Sequence, residues 1–135
     1  MIYFLIFTKY KNAYSYINYV DIKDENNFII CSYDKSIKLW NKNNNEFKIN
    51  KIIKNAHDNI IIKVIYCSNN NLISCSWDKT IKIWKENNNY ENIKILKHSN
   101  SIYSLLLLED KNILISSEVD ATKLWNYNEI NNINN

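Results

Sequence analysis

Three stretches of this chain repeat one another, and short repeats fold as a stack of equivalent units, each burying its apolar face on its neighbour. The stretches are FIICSYDKSIKLWN from Phe28, NLISCSWDKTIKIWK from Asn71 and ILISSEVDATKLWN from Ile113. Their tryptophans, Trp40, Trp84 and Trp125, lie 44 and 41 residues apart, and the aspartates Asp34, Asp78 and Asp120 lie 44 and 42 apart. The period is therefore about forty residues. Upstream the match continues: KNAY ending at Tyr14, KNAH ending at His57, and His98 within KHS occupy one station. The units run over 9–53, 54–96 and 97–126, preceded by an apolar strand over 1–8 and followed by an Asn-rich tail over 127–135.

Within each unit the local signal is strand. ICSYDKSIKLW and ISCSWDKTIKIW each read as two β-branched or aromatic runs joined at Asp-Lys, a hairpin whose aspartate tolerates a left-handed or turn conformation. Runs such as IIIKVIYC and SIYSLLLL precede the hairpin, and FKINKII or NIKIL follow it, which makes four strands per period. The chain contains no glycine and no proline, and 26 of its 135 residues are asparagine. Turn duty falls to tracts such as Asn43 to Asn45, Asn69 to Asn71 and Asn87 to Asn89, because asparagine is the best non-glycine residue for positive φ. The same tracts also read as low-complexity insertions in surface loops.

SCSWDKTIKIW resembles the S-x-S-x-D-x-T-I-x-I-W pattern of the WD40 family, and it recurs at that family's spacing over roughly residues 9 to 126. The resemblance implies an all-β fold, a β-propeller of four-stranded antiparallel blades of which three are present. It implies a structural tetrad in each unit: His57, Ser74, Asp78 and Trp84 in the second, and His98, Ser116, Asp120 and Trp125 in the third. Serine would accept from the indole N–H and pass a bond to histidine, which would reach the turn aspartate. The first unit is degenerate. Tyr14 replaces the histidine and Ile30 the serine beside Asp34 and Trp40, so its chain of bonds is expected to be broken and its blade to be the loosest. The third hairpin is one residue short between Asp120 and Trp125, which leaves its register open.

Several chemistries are excluded. Without glycine there is no phosphate-cradling loop, dinucleotide fingerprint or nucleophile elbow. The net charge of +3 comes from lysines spread along the chain with no arginine, so no nucleic-acid partner is expected. Cys31, Cys67 and Cys75 form neither a disulfide framework nor a zinc knuckle, which points to no metal, no cofactor and a cytoplasmic or nuclear location. MIYFLIF lacks a signal peptide's basic flank and is too short to span a bilayer, so no membrane is expected. His57, Ser74 and Asp78 have the residue types of a catalytic triad, but the trio returns one period later, and repetition in step with the fold marks architecture. No enzyme is expected.

Propellers of the family generally serve as platforms for other proteins. The inner-strand patterns Ile17, Val20, Ile22; Ile61, Val64, Tyr66; and Ile102, Leu105, Leu107 locate one end of the ring. By the resemblance its contact positions are Tyr16, Asn18 and Tyr33; Ile60, Ile62 and Trp77; and Ser101, Tyr103 and Val119. The set is uncharged and rich in aromatic and aliphatic residues, which favours a protein or peptide partner. Trp77 is expected near the surface as an anchor; the alternative is packing against Tyr33 or a loop of the next blade. Three units fall short of a ring of four to eight blades. The chain is accordingly expected to be a fragment of a larger propeller, or half of a six-bladed homodimer, or a piece completed by a partner chain. Its CSxDKSIxxW hairpins also resemble those of the WD40 component of cytosolic iron-sulfur protein assembly, and a purely structural role in completing another propeller is the alternative function.

Overall fold

The computed structural model describes residues 15–131. The strand expected over 1–8 and the station of Tyr14 lie outside them. Among the described residues eleven strands form three antiparallel sheets. The first holds β1 (Ile17–Asp24), β2 (Asn27–Ser32), β3 (Ile37–Asn43) and β4 (Glu46–Ile53) in sequence order. The second holds β5 (Ile61–Tyr66), β6 (Leu72–Ser76), β7 (Thr80–Lys85) and β8 (Glu91–Lys97). The third has three strands, β9 (Ile102–Leu108), β10 (Ile113–Glu118) and β11 (Thr122–Asn126). The sheets stand side by side as blades, with β1, β5 and β9 along the inner side, and the ring is not closed among the described residues.

Alternation along each strand builds the core, because successive side chains point to opposite faces. One face of the first blade presents Ile29, Cys31, Ile37 and Leu39, which pack on Ile61, Val64, Leu72 and Trp84 of the second. The other face of the second presents Ile65, Ile73, Cys75, Ile81 and Ile83 to Ile102, Leu105 and Leu114 of the third. The 127–135 stretch read as a tail begins with a short helix, α1 (Tyr127–Asn131), whose Tyr127 and Ile130 are buried in this second cluster. Its apolar residues three apart give it one buried face, a signal too short to be read from sequence.

Asparagine does carry the tight turns: φ is positive at Asn44, Asn45, Asn55, Asn70, Asn89 and Asn112. In the Asp-Lys hairpins the aspartates Asp34 and Asp78 stand in the turn. The left-handed residue is the lysine, Lys35 at φ 65° and Lys79 at φ 71°, and not the aspartate. Each aspartate instead accepts the N–H of the residue two positions on, Ser36 or Thr80, as well as that residue's hydroxyl. That use of the carboxylate holds the aspartate's backbone and passes the left-handed conformation to its neighbour.

Candidate functional site

The second unit assembles one buried polar chain. Trp84 Nε1 donates to Ser74 Oγ at 2.8 Å, Ser74 Oγ lies 2.7 Å from His57 Nε2, and His57 Nδ1 lies 2.8 Å from Asp78 Oδ2. Asp78 also accepts the Asp58 N–H at 3.0 Å. Every donor has an acceptor if His57 is neutral with its proton on Nδ1, and burial favours that state by pulling its pKa below the usual value. Burial opposes the Asp78 carboxylate, but the hydrogen bonds from His57, Thr80 and Asp58 outweigh it and hold its pKa well below the usual range. The chain ties the entry of β5 to the β6–β7 hairpin and the indole on β7. It is closed to solvent and offers no reacting atom to a substrate, with His57 at 1% exposure and Ser74 at 0%.

In the third unit Trp125 Nε1 donates to Ser116 Oγ at 2.8 Å, and Ser116 Oγ lies 2.8 Å from His98 Nε2. The acid differs from expectation. Asp120 is exposed, and Glu118 faces His98, with Oε2 3.5 Å from Nδ1. Glu118 also accepts from the Ser99 hydroxyl at 2.9 Å and the Asn100 N–H at 2.7 Å, and these bonds lower its pKa. The short hairpin carries Asp120 past the histidine, and a longer side chain from the end of β10 reaches back into the gap. Asp120→Ala is therefore expected to change stability by no more than about 0.5 kcal/mol, as at ordinary surface positions. Glu118→Ala should lower the melting temperature clearly more. Equal melting temperatures for the two variants would return the role to Asp120.

The first unit replaces this chain with other contacts. Phe28 stacks on Trp40 with centroids 5.7 Å apart and meets Phe47 edge-on, and Ile30 is buried among them. Asp34 is reached by Lys38 Nζ at 2.9 Å. Burial opposes the Asp34 carboxylate, but the bonds from Ser36 and Lys38 outweigh it and lower its pKa. The thiols of Cys67 and Cys75 are pushed up to about 12 by burial, and that of Cys31 higher still, so all three stay protonated small core residues. Among the described residues no cluster of metal-ligating side chains occurs, and no helix is long and apolar enough to cross a membrane.

The nine contact positions gather at one end of the blades, where the pairing shows a feature the sequence did not announce. In each blade a β-bulge interrupts the start of the inner strand, between Ile17 and Tyr19, between Ile61 and Lys63, and between Ile102 and Ser104. The extra residues are Asn18, Ile62 and Tyr103, and a bulge re-aims its side chain. Backbone bonds from Tyr33 N to Tyr16 O and from Trp77 N to Ile60 O, each 3.0 Å, hold the adjoining loops. Tyr16 is 80% exposed and meets Tyr33 edge-on at 5.6 Å; Tyr103 and Val119 are exposed as well.

The remaining contact positions are engaged within the molecule. Asn18 Nδ2 donates to Ile61 O at 2.8 Å, and the Ser101 hydroxyl donates to Trp77 O at 3.0 Å, so both join neighbouring blades. Ile60 is partly buried, and Ile62 packs on the second core cluster. Trp77 is half-buried and lies 6.0 Å from Tyr103 of the next blade, not against Tyr33. Its indole nitrogen is buried with no hydrogen-bond partner among the described residues.

Residues 6–41 and 49–85, more than half of the chain, match the family model described as WD domain, G-beta repeat. Among solved structures, the WD40 beta propeller domain of Doa1 aligns with a TM-score of 0.69 and 22% identity. The alignment covers 80% of this chain and 36% of that one, so the chain spans about a third of that propeller. No curated protein matches the sequence.

Proposed function

The chain belongs to the WD40-repeat family, and from that premise we propose that it is a non-catalytic platform holding a protein or peptide against the bulged end of its blades. WD40 domains generally bind other proteins and are generally non-catalytic. The observation that carries the reading is the grouping of Tyr16, Tyr33, Tyr103 and Val119, exposed and uncharged, at one end of a scaffold whose own polar chains are sealed. Aromatic side chains on rigid backbone give large contact area at low entropic cost, as binding hot spots require. Trp77 supports this face from beneath through Tyr103. Lysines without arginine favour such a partner over nucleic acid, and three unpaired thiols suit a cytoplasmic or nuclear location. Hairpins generic to the family give no ground for extending the proposal to iron-sulfur protein assembly.

The test is a set of peptides selected from a random library on the wild-type chain and then measured against the triple variant Tyr16→Ser, Tyr33→Ser, Tyr103→Ser. Affinity should fall at least about 10-fold, the loss of one moderate hot spot, with an unchanged circular dichroism spectrum. Peptides bound equally by both chains would leave only the structural alternative, a segment that completes a larger propeller.

A further inference from the structure

Lysines occupy two kinds of place in this fold. On β3, β7 and β11 the register-equivalent Lys38, Lys82 and Lys123 are spent inside the molecule, on the Asp34 carboxylate at 2.9 Å, the Ala56 carbonyl at 2.8 Å and the Lys97 carbonyl at 3.3 Å. A second set borders the aromatic patch at the bulged end. Lys35 and Lys79 hold the left-handed positions of the first two hairpins, and both are exposed. The Lys35 carbonyl accepts the Ala56 N–H at 2.9 Å and the Lys79 carbonyl accepts the His98 N–H at 2.8 Å, which brings the exposed Lys54 and Lys97, just before those residues in the chain, beside the turns. Among the described residues none of these four ammonium groups has an ion pair or a hydrogen bond. The carboxylates of the same turns are already engaged, Asp34 by Ser36 and Lys38, Asp78 by His57 and Thr80. Asp58 is the exposed acid left beside them. Each turn lysine also stands two residues after an aromatic, Tyr33 or Trp77, whose ring meets a second one, Tyr16 or Tyr103. The third hairpin inverts the pattern: it reads Val119, Asp120, Ala121, with no lysine in the turn and an exposed acid.

Resting on the platform reading above, we propose that the partner is an acidic peptide segment with aromatic or aliphatic residues set among its carboxylates, lying across the first and second hairpins. Its apolar side chains cover the two aromatic pairs, and its carboxylates reach the lysines beside them. Exposed ammonium groups keep much of their hydration, so each adds little to affinity, but together they speed encounter and select the sign of the partner. Lysine suits this task, because a mobile point charge accepts a carboxylate in many geometries. Asp120 repels the same segment from the third hairpin and so restricts it to the first two. A nucleic-acid strand carries a phosphate at every step and would have to cross Asp58 and Asp120, whereas a peptide can place an uncharged residue opposite each.

The probe is a fluorescein-labelled peptide alternating Glu-Asp pairs with phenylalanine, followed by anisotropy against the full chain at up to about 1 mM. It should bind at least about 10-fold more tightly than the analogue with Gln-Asn pairs. Most of that margin should vanish between about 0.05 M and about 0.5 M salt, where screening shortens to about 4 Å. Lys35→Glu with Lys79→Glu should erase the preference at an unchanged melting temperature, since both side chains are exposed. Lys54→Glu with Lys97→Glu should do the same away from the left-handed positions. Equal binding of the acidic peptide and its Gln-Asn analogue overturns the proposal and leaves the platform reading standing, and so does binding indifferent to both lysine pairs. An acidic peptide held equally well after Tyr16→Ser, Tyr33→Ser, Tyr103→Ser overturns the platform reading as well. Displacement of the peptide by an oligothymidylate strand of equal charge at the same concentration marks a general polyanion surface and overturns the proposal. Absence of binding at the highest concentration overturns it too.

Discussion

Replacing Trp84 with alanine is expected to remove about 3 to 5 kcal/mol of stability, the usual loss for truncating a buried aromatic side chain. Trp84 is 5% exposed and lies at the contact of the first and second blades, in the cluster that holds Ile29, Leu39, Val64 and Leu72. Its truncation opens a cavity between two sheets whose packing is fixed on both sides. It also removes the donor to Ser74 and the edge contact with the His57 ring, whose centroid lies 6.2 Å away at an interplanar angle of 70°. Domains of this size are stable by only about 5 to 15 kcal/mol. A loss of this scale therefore takes a large part of the total. Urea unfolding followed by circular dichroism measures it, with a lower midpoint expected at an unchanged slope. A loss below about 1 kcal/mol, inside the range of surface substitutions, would mean that the indole is not part of the core. Trp125, which is only partly buried, should lose less on the same change.

Ser74→Ala is expected to lose about 2 to 6 kcal/mol, although it deletes a single oxygen. That oxygen accepts from the Trp84 N–H and bonds the Nε2 atom of His57, and all three residues are closed to water. Two buried polar groups are left without a partner, at about 1 to 3 kcal/mol each. The matching change Ser116→Ala should be milder, because Trp125 is less fully buried than Trp84 and its unpaired N–H is less costly to leave. Measuring both variants by the same unfolding experiment tests the comparison. Equal losses would show that burial does not set the penalty.

The tetrads illustrate how far residue types and spacing reach. His57, Ser74, Asp78 and Trp84 are legible because each stands at a fixed offset from a hairpin, and hairpin offsets are local. In the third unit the same offsets mislead. Asp120 stands at the expected station, but with one residue fewer in the hairpin the position nearest His98 falls to Glu118. No local signal marks a glutamate at the end of a strand as the replacement. Only the distance across the folded hairpin selects it.

The bulges show the same boundary. Asn18, Ile62 and Tyr103 are picked out by repeat position, yet one is tied to a neighbouring blade, one sits against the core and one is exposed. Side-chain direction at a bulge depends on the partner strand, which sequence periodicity does not contain.

By itself the sequence determined the period, the strand character of each segment, the Asp-Lys hairpins and the composition of the blades, because these follow from alternation and turn chemistry within about forty residues. Tertiary structure alone decided which residue takes the left-handed angle, which carboxylate meets His98 and how Tyr127 and Ile130 are buried. Each of these depends on contacts between segments distant in sequence, where packing and the pairing of buried polar groups, and not local preference, carry the energy.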